Sequence, residues 1–257
     1  MQVLRLGVIV PSSNTALEPL TQEIVASLNA NDTLGLKITV HFARFRVTTI
    51  ALSESANAQF TLEPMLDAAR LLSDARVDVI GWSGTSASWL GFGSDEKLCQ
   101  AIQEATGIQA TTAVQGMNWL LKGITENVGL VTPYTQDLNQ AIQKNYSSIG
   151  IEIPDDLSRY AGLSDNVSFS AVDDQALDKM VDQVVQNGAQ TVLIMCTNVR
   201  AAHRARHWET QYATSKLLVL DSVATTVTGM LRQLGIKFHD DSMVQQWGRA
   251  FGTEFCD

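Results

Sequence analysis

At 257 residues, 45% hydrophobic and 18% charged, the chain has the balance of an ordinary globular protein and enough length to bury a core without disulfide staples. Its formal charge of −9 argues against a nucleic-acid partner, which wants a basic face, and its longest apolar runs are far too short to cross a bilayer. The opening Met1–Gly7 carries Arg5 inside its apolar run and reads as a strand, not a secretory leader, so a cytoplasmic location with no membrane partner is the default expectation.

Strand-like and helical patterns alternate along the chain. Residues 4–10 form a β-branched apolar run ending in Pro11-Ser12-Ser13-Asn14. Residues 15–28 have helical spacing through Leu17, Leu20, Ile24 and Leu28, and 37–44 alternate as a strand. A helix is predicted over 61–75, with Pro64 in its first turn, then a strand over 77–82. Residues 95–105 read as a short helix closed by Gly107, and 111–121 as another, followed by Gly123. The second half gives a strand at 127–131, a helix at 135–147, an extended piece at 150–153 and a helix at 174–186. A strand at 191–195, a helix at 201–212, a strand at 217–220 and a helix at 222–234 complete it.

This alternation predicts parallel sheets flanked by helices. The halves also look alike: Gly7-Val8-Ile9-Val10-Pro11 parallels Gly129-Leu130-Val131-Thr132-Pro133, and 77–86 parallels 190–198. The expected fold is therefore α/β, with two similar lobes related by a pseudo-twofold duplication. Residues 1–115 with 216–257 are assigned to the N-terminal lobe and 116–215 to the C-terminal lobe, with the active site between them.

Ligands of open parallel sheets sit beyond the carboxyl ends of the strands. Four such ends carry polar turns here: 11–15, Ser83-Gly84-Thr85-Ser86, Thr132-Pro133-Tyr134 and Cys196-Thr197-Asn198. Turns of this kind offer free N–H groups and short polar side chains that suit a carboxylate, although the same residues also serve simply as helix caps. Cys196 stands out. A thiol at a strand end beside helix N–H groups is expected to have a lowered pKa and to move a proton at carbon. Cys99 reads as packing and Cys256 as idle. Three sparse cysteines make no disulfide framework. His203 and His207 lack the Glu of an HExxH pair and are interleaved with Arg204 and Arg206, so no metal is expected. Nor is there a GxGxxG or GxxxxGK[ST] loop for a nucleotide; Gly91-Phe92-Gly93 reads as a turn or flap near Trp82 and Trp89.

Pro11-Ser12-Ser13-Asn14-Thr15 and Cys196-Thr197-Asn198 with Arg200 resemble the two motifs of maleate cis-trans isomerases. Gly84-Thr85-Ser86 and Tyr134 resemble the carboxylate-holding residues of arylmalonate decarboxylases. Both belong to the aspartate/glutamate racemase superfamily, and the resemblance runs over nearly the whole chain. It implies a cofactor-independent enzyme acting on a small carboxylic or dicarboxylic acid through an ene-diolate, with catalytic Cys196. Asn14, Gly84, Thr85, Ser86, Tyr134, Thr197 and Asn198 would line the substrate. Because many relatives associate, a homo-oligomer is compatible with it.

Where racemases and isomerases of the superfamily carry a first cysteine, this chain has Gly84, as arylmalonate decarboxylases do. The resemblance therefore implies a lyase with one catalytic cysteine, delivering one proton to one face. Restoring a cysteine at 84 is expected to open exchange from the second face. The alternatives are an isomerase or racemase whose second group is not a cysteine, and a protein that binds a carboxylate without turning it over. Arylmalonate decarboxylases line the pocket of the departing carboxylate with apolar groups; the corresponding stretch here contains Arg44 and Arg46, expected on one strand face. If that face meets the pocket, it would hold a second carboxylate; otherwise the pair is solvated or bound to acidic neighbours.

Overall fold

The structure is a computed structural model describing residues 2–30, 35–236 and 241–252. Its strands are β1 (Gln2–Pro11), β2 (Leu36–Phe45), β3 (Val79–Trp82), β4 (Ala110–Thr112), β5 (Val128–Thr132), β6 (Ser158–Tyr160), β7 (Thr191–Ile194) and β8 (Leu218–Asp221). They form two four-stranded sheets, ordered β2-β1-β3-β4 and β6-β5-β7-β8, in which every pair is parallel. The second order repeats the first, as the sequence repeat predicts. The central strands have no polar face. Leu6, Val8, Ile9 and Val10 of β1 and Val128, Leu130 and Val131 of β5 are all buried, as strands covered on both sides require.

The helices predicted from the apolar period are present, with ends shifted by one or two residues, while the short helices Glu54–Asn57, Ala87–Leu90, Asn166–Phe169 and Asp241–Trp247 lie outside that expectation. Asp174–Gln186 is typical: Leu177, Val181 and Val184 are its buried stripe, and the Asp173 carboxylate accepts from Ala176 N–H at 2.8 Å as the N-cap. Three expectations are corrected. Residues 111–112 belong to β4, and the helix begins at Ala113, capped by the Thr112 hydroxyl, which accepts from Gln115 N–H at 3.0 Å. The extended piece at 150–153 pairs with no strand; the edge strand comes later, at Ser158–Tyr160. The helix expected over 201–212 is split into a 3₁₀ turn, Ala202–Arg204, and a helix, Ala205–Gln211.

The described residues that follow Lys216 divide between the sheets. β8 pairs with β7 and completes the second sheet. The helix Ser222–Gln233 that follows packs on β3, β4 and the helix Ala113–Leu120 of the first. Residues 222–231 are all buried, which explains the small Thr225, Thr226 and Gly229 among its larger apolar side chains. A Cβ on Gly116 would stand 2.1 Å from the Thr225 carbonyl oxygen, so the approach of these two helices requires glycine. Asp221 caps this helix, accepting from Val223 N–H at 2.8 Å and Ala224 N–H at 3.1 Å.

Burial raises three carboxyls to about 7: Asp95, held by Thr112; Glu209, which accepts from Val219 and Arg249 N–H; and Asp221. In each case burial outweighs hydrogen bonds that pull the other way. The folded protein keeps these protons at pH values where the unfolded chain has lost them, so it binds more protons between about pH 4 and 7 and its stability falls as pH rises through that window. Thermal unfolding at matched ionic strength should give a higher midpoint at about pH 5 than at about pH 7.5, with a smaller difference in Asp95→Asn. A midpoint that rises with pH across this range would contradict the assignment.

Candidate active site

The carboxyl ends of β1, β3, β5 and β7 converge between the two sheets. The turn after β1 places Asn14, whose Oδ1 accepts from Ala16 N–H (3.0 Å) and Leu17 N–H (2.9 Å) to start the helix Leu17–Ala30. Its Nδ2 donates to Thr197 Oγ1 at 3.2 Å in the other lobe, and Thr197 in turn donates to the Ser83 carbonyl at 3.1 Å. Asn198 reaches the opposite way: its Oδ1 accepts from the N–H groups of Thr15 (2.9 Å) and Ala16 (3.1 Å), and its Nδ2 donates to the Asn166 carbonyl. The hydroxyls of Thr85 and Tyr134 are 2.8 Å apart and form the third bridge between lobes.

These bridges surround a cavity of about 20 Å³. Asn14, Gly84, Thr85, Ser86, Tyr134, Cys196 and Thr197 line it, together with Pro11, Val47, Ile50, Phe60, Trp82, Trp89 and Asn166. Among the residues singled out from sequence, Asn198 lies behind this lining as a clamp. Arg44 and Arg46 lie outside it, and both are exposed. Arg44 forms an ion pair with Glu18 at 2.9 Å and donates to the Ser12 carbonyl, so this side chain is tied down at the surface, away from the cavity. Val47 and Ile50, just beyond, turn inward instead. Arg200 is exposed too. Cys99 is half-buried, donating to Gln115 Oε1 at 3.3 Å, and His203 sits on a surface turn 3.7 Å from Asp174. Cys256 and His239 lie outside the described residues.

Cys196 is 3% exposed, and its sulfur accepts from Asn198 N–H at 3.4 Å. Contrary to the expected depression, burial pushes this thiol up to about 12; the Tyr134 hydroxyl and the N–H groups of Asn198 and Val199 pull it down, while the Asp221 charge adds to the rise. The reason is local. Cys196 is followed by an irregular turn, and the next helical residues begin only at Ala202, so its own strand end does not open a helix. The thiol is thus protonated at neutral pH, not a preformed thiolate. Tyr134, also buried, is raised for the same reason, desolvation.

Polar capacity remains in the cavity. Among the described residues, no backbone or side-chain group accepts from the N–H groups of Thr85, Ser86 or Thr197. An aromatic series, Phe60–Trp89–Tyr134–Phe169, crosses between the lobes in edge-on contacts with centroids 5.3–5.9 Å apart. Sequence reasoning missed Asn166, Val47, Ile50 and Phe60. Their segments follow β2 and β6, equivalent strands of the repeat, and they meet each other: Thr49 bridges Asp165, and Ile50 N–H donates to the Ser164 carbonyl at 3.2 Å. The repeat was the signal that could have paired them.

Two sheets of matching order, joined through their strand ends around a buried thiol, define a duplicated, two-lobed α/β class. The family model described as arylmalonate decarboxylase matches residues 6–249, and the chain belongs to that family. It is similar to a maleate isomerase of Pseudomonas putida, with 27% identity over 246 residues, 92% of this chain and 94% of the relative. In structure it resembles the maleate cis-trans isomerase of Nocardia farcinica bound to TRIS, with a TM-score of 0.82 at 20% identity over 98% of both chains. It also resembles a glycine-to-cysteine, cysteine-to-serine double variant of arylmalonate decarboxylase in its liganded form, with a TM-score of 0.71 at 18% identity over 98% of this chain and 99% of that one.

In the ligand-free protein, alkylation of Cys196 by iodoacetamide at about pH 8 should be about a thousandfold slower than for an ordinary thiol and should still be climbing at about pH 10. Tyr134→Phe removes a donor to the thiolate and should slow it further. A rate that levels near pH 8.5, the ordinary thiol value, would show that burial does not control this sulfur.

Proposed function

We propose that this chain is a cofactor-independent decarboxylase of small α-substituted dicarboxylic acids, with Cys196 as its proton donor. The observation that carries the reading is a buried, protonated thiol lining a cavity that presents hydrogen-bond donors on one part of its wall and apolar side chains on another. Among the described residues, no cation lines that cavity.

One substrate carboxylate would lie against the N–H groups of Thr85, Ser86 and Thr197 and the hydroxyls of Thr85 and Tyr134. The other would face Pro11, Val47 and Ile50, where nothing hydrogen-bonds its charge, so the ionised ground state is disfavoured. The C–C bond to this carboxylate breaks, CO2 leaves, and the electron pair passes into the first carboxylate as an ene-diolate. Donors already in place stabilise that developing charge, and losing one such donor typically costs about 3–4 kcal/mol. The Cys196 S–H proton then moves to the α-carbon, and the thiolate recovers its proton from solvent. A high thiol pKa suits this order of events: the group arrives protonated and gives up its proton only to a much stronger base.

The names of the relatives favour a second reading, a cis-trans isomerase. Offering phenylmalonate, methylmalonate and maleate separately distinguishes the two. Trapped CO2, with one deuteron at the α-carbon of a single product enantiomer in D2O, supports the decarboxylase; fumarate from maleate without CO2 supports the isomerase. Cys196→Ala should lower turnover by about 10²–10⁴-fold while leaving the binding of a non-reacting dicarboxylate intact. Full activity in that variant would end the proposal.

A further inference from the structure

The Cys196 cavity has room for little more than one water, so no diacid fits without a wall giving way. A second pocket of about 210 Å³ adjoins it, lined mainly by apolar side chains, among them Leu62, Met65, Leu90 and Leu98. Phe60, Trp82 and Ser86 line both spaces. Trp82 is the largest of these shared residues, and its indole forms part of the partition.

Two features single out this indole. A Cβ on Gly84 would stand 2.0 Å from Trp82 Cζ2 and 2.4 Å from Cε2, so the ring edge occupies the space that any side chain at 84 would need. The indole Nε1, attached to that same Cε2, is buried and has no hydrogen-bond partner among the described residues. Leaving such a donor unpaired is unfavourable, and a ligand oxygen on the Gly84 side would relieve it. The ring is otherwise held only by packing, including Phe45 at 5.2 Å between centroids.

We propose that Trp82 is the specificity-determining residue of this site: its indole limits the size of the α-substituent that can stand beside Cys196, and behind it lies a preformed chamber for an aryl or branched alkyl group. The proposal rests on the reading of this cavity as the acid-binding site, and it is tested without turnover. Cys196 is alkylated in the intact protein by iodoacetate and, separately, by racemic α-bromophenylacetate, and the modified peptide is quantified by mass spectrometry. Both reagents are carboxylates that lose halide to the sulfur and differ in the bulk of the α-substituent. The bulky-to-small rate ratio should rise by about tenfold or more in Trp82→Ala and by less in Trp82→Phe, since one methylene in an apolar pocket already shifts selectivity about tenfold. A ratio unchanged in both variants overturns the proposal, even if wild-type protein decarboxylates a malonate. A raised ratio supports it, even if no tested acid is turned over. Should Trp82→Ala fail to fold, Trp82→Phe decides: a ratio equal to wild type is the overturning result. The steric pairing has its own check. Gly84→Ala should lower the melting temperature in the wild-type background and much less beside Trp82→Ala; equal losses would mean that the indole does not occupy the space over Gly84.

Discussion

Asn198 is the constraint on which the site depends. Its amide spans the lobes with both ends occupied: the carbonyl accepts from the first N–H groups entering the helix Leu17–Ala30, and the nitrogen donates to the Asn166 carbonyl. A buried amide satisfied on both ends fixes orientation, because any shift strands polar groups away from water. Asn14 does the reciprocal job from the first lobe, capping its own helix and donating to Thr197. The two asparagines hold the strand ends at a fixed spacing, and every other group in the cavity inherits its position from them. The helix-capping interpretation and the site-building interpretation of these turns are therefore one arrangement: the cap is the anchor.

Desolvation sets the chemistry. Sequence reasoning put a thiol at a strand end and inferred a helix N-terminus beside it. In the structure the turn 196–201 runs on without helix, so the expected helix at this strand end is missing and burial prevails. The buried Asp221 lies close enough to oppose thiolate formation further. Under the proposed reaction such a site would hold a neutral acid ready, and the same absence of water that keeps the proton on sulfur would strengthen each hydrogen bond to a charge developing on the substrate.

The fold was legible wherever a periodic apolar pattern outlasted a few residues. The helix at 174–186 and the strands of both sheet centres stand where the pattern predicts them. β4 and β6 were not legible for a physical reason: each is three residues long, β4 leads straight into a helix whose apolar period swallows Thr111 and Thr112, and β6 is a polar edge, Ser-Arg-Tyr. The strand-end residues of the site were legible because strand ends are fixed by the sheet. The residues from the segments after β2 and β6 were not, because no local period dictates the path of an irregular segment; a contact between two of them, such as Thr49 with Asp165, is a tertiary fact. Alternation along β2 did put Arg44 and Arg46 on one face. It could not say that these two side chains end at the surface while Val47 and Ile50 turn inward.

The exchange of a side chain at 84 for an indole from 82 alters what can be inferred about the missing first thiol. Residues 82 and 84 lie on the same strand end, two apart, and the ring folds back over Gly84 only because that residue has no Cβ. The position is thus filled, not empty. A sulfur introduced there alone would meet the benzene edge of the indole at less than van der Waals distance, and exchange from a second face would require Trp82 to leave first. One-sided proton delivery, if this site performs it, would have two physical causes that reinforce each other: no acid stands at 84, and an aromatic wall occupies the place where such an acid would stand. Under the proposed reaction substituent size and facial selectivity would be linked through a single side chain, since moving the ring that limits the first would also uncover the face that the second depends on.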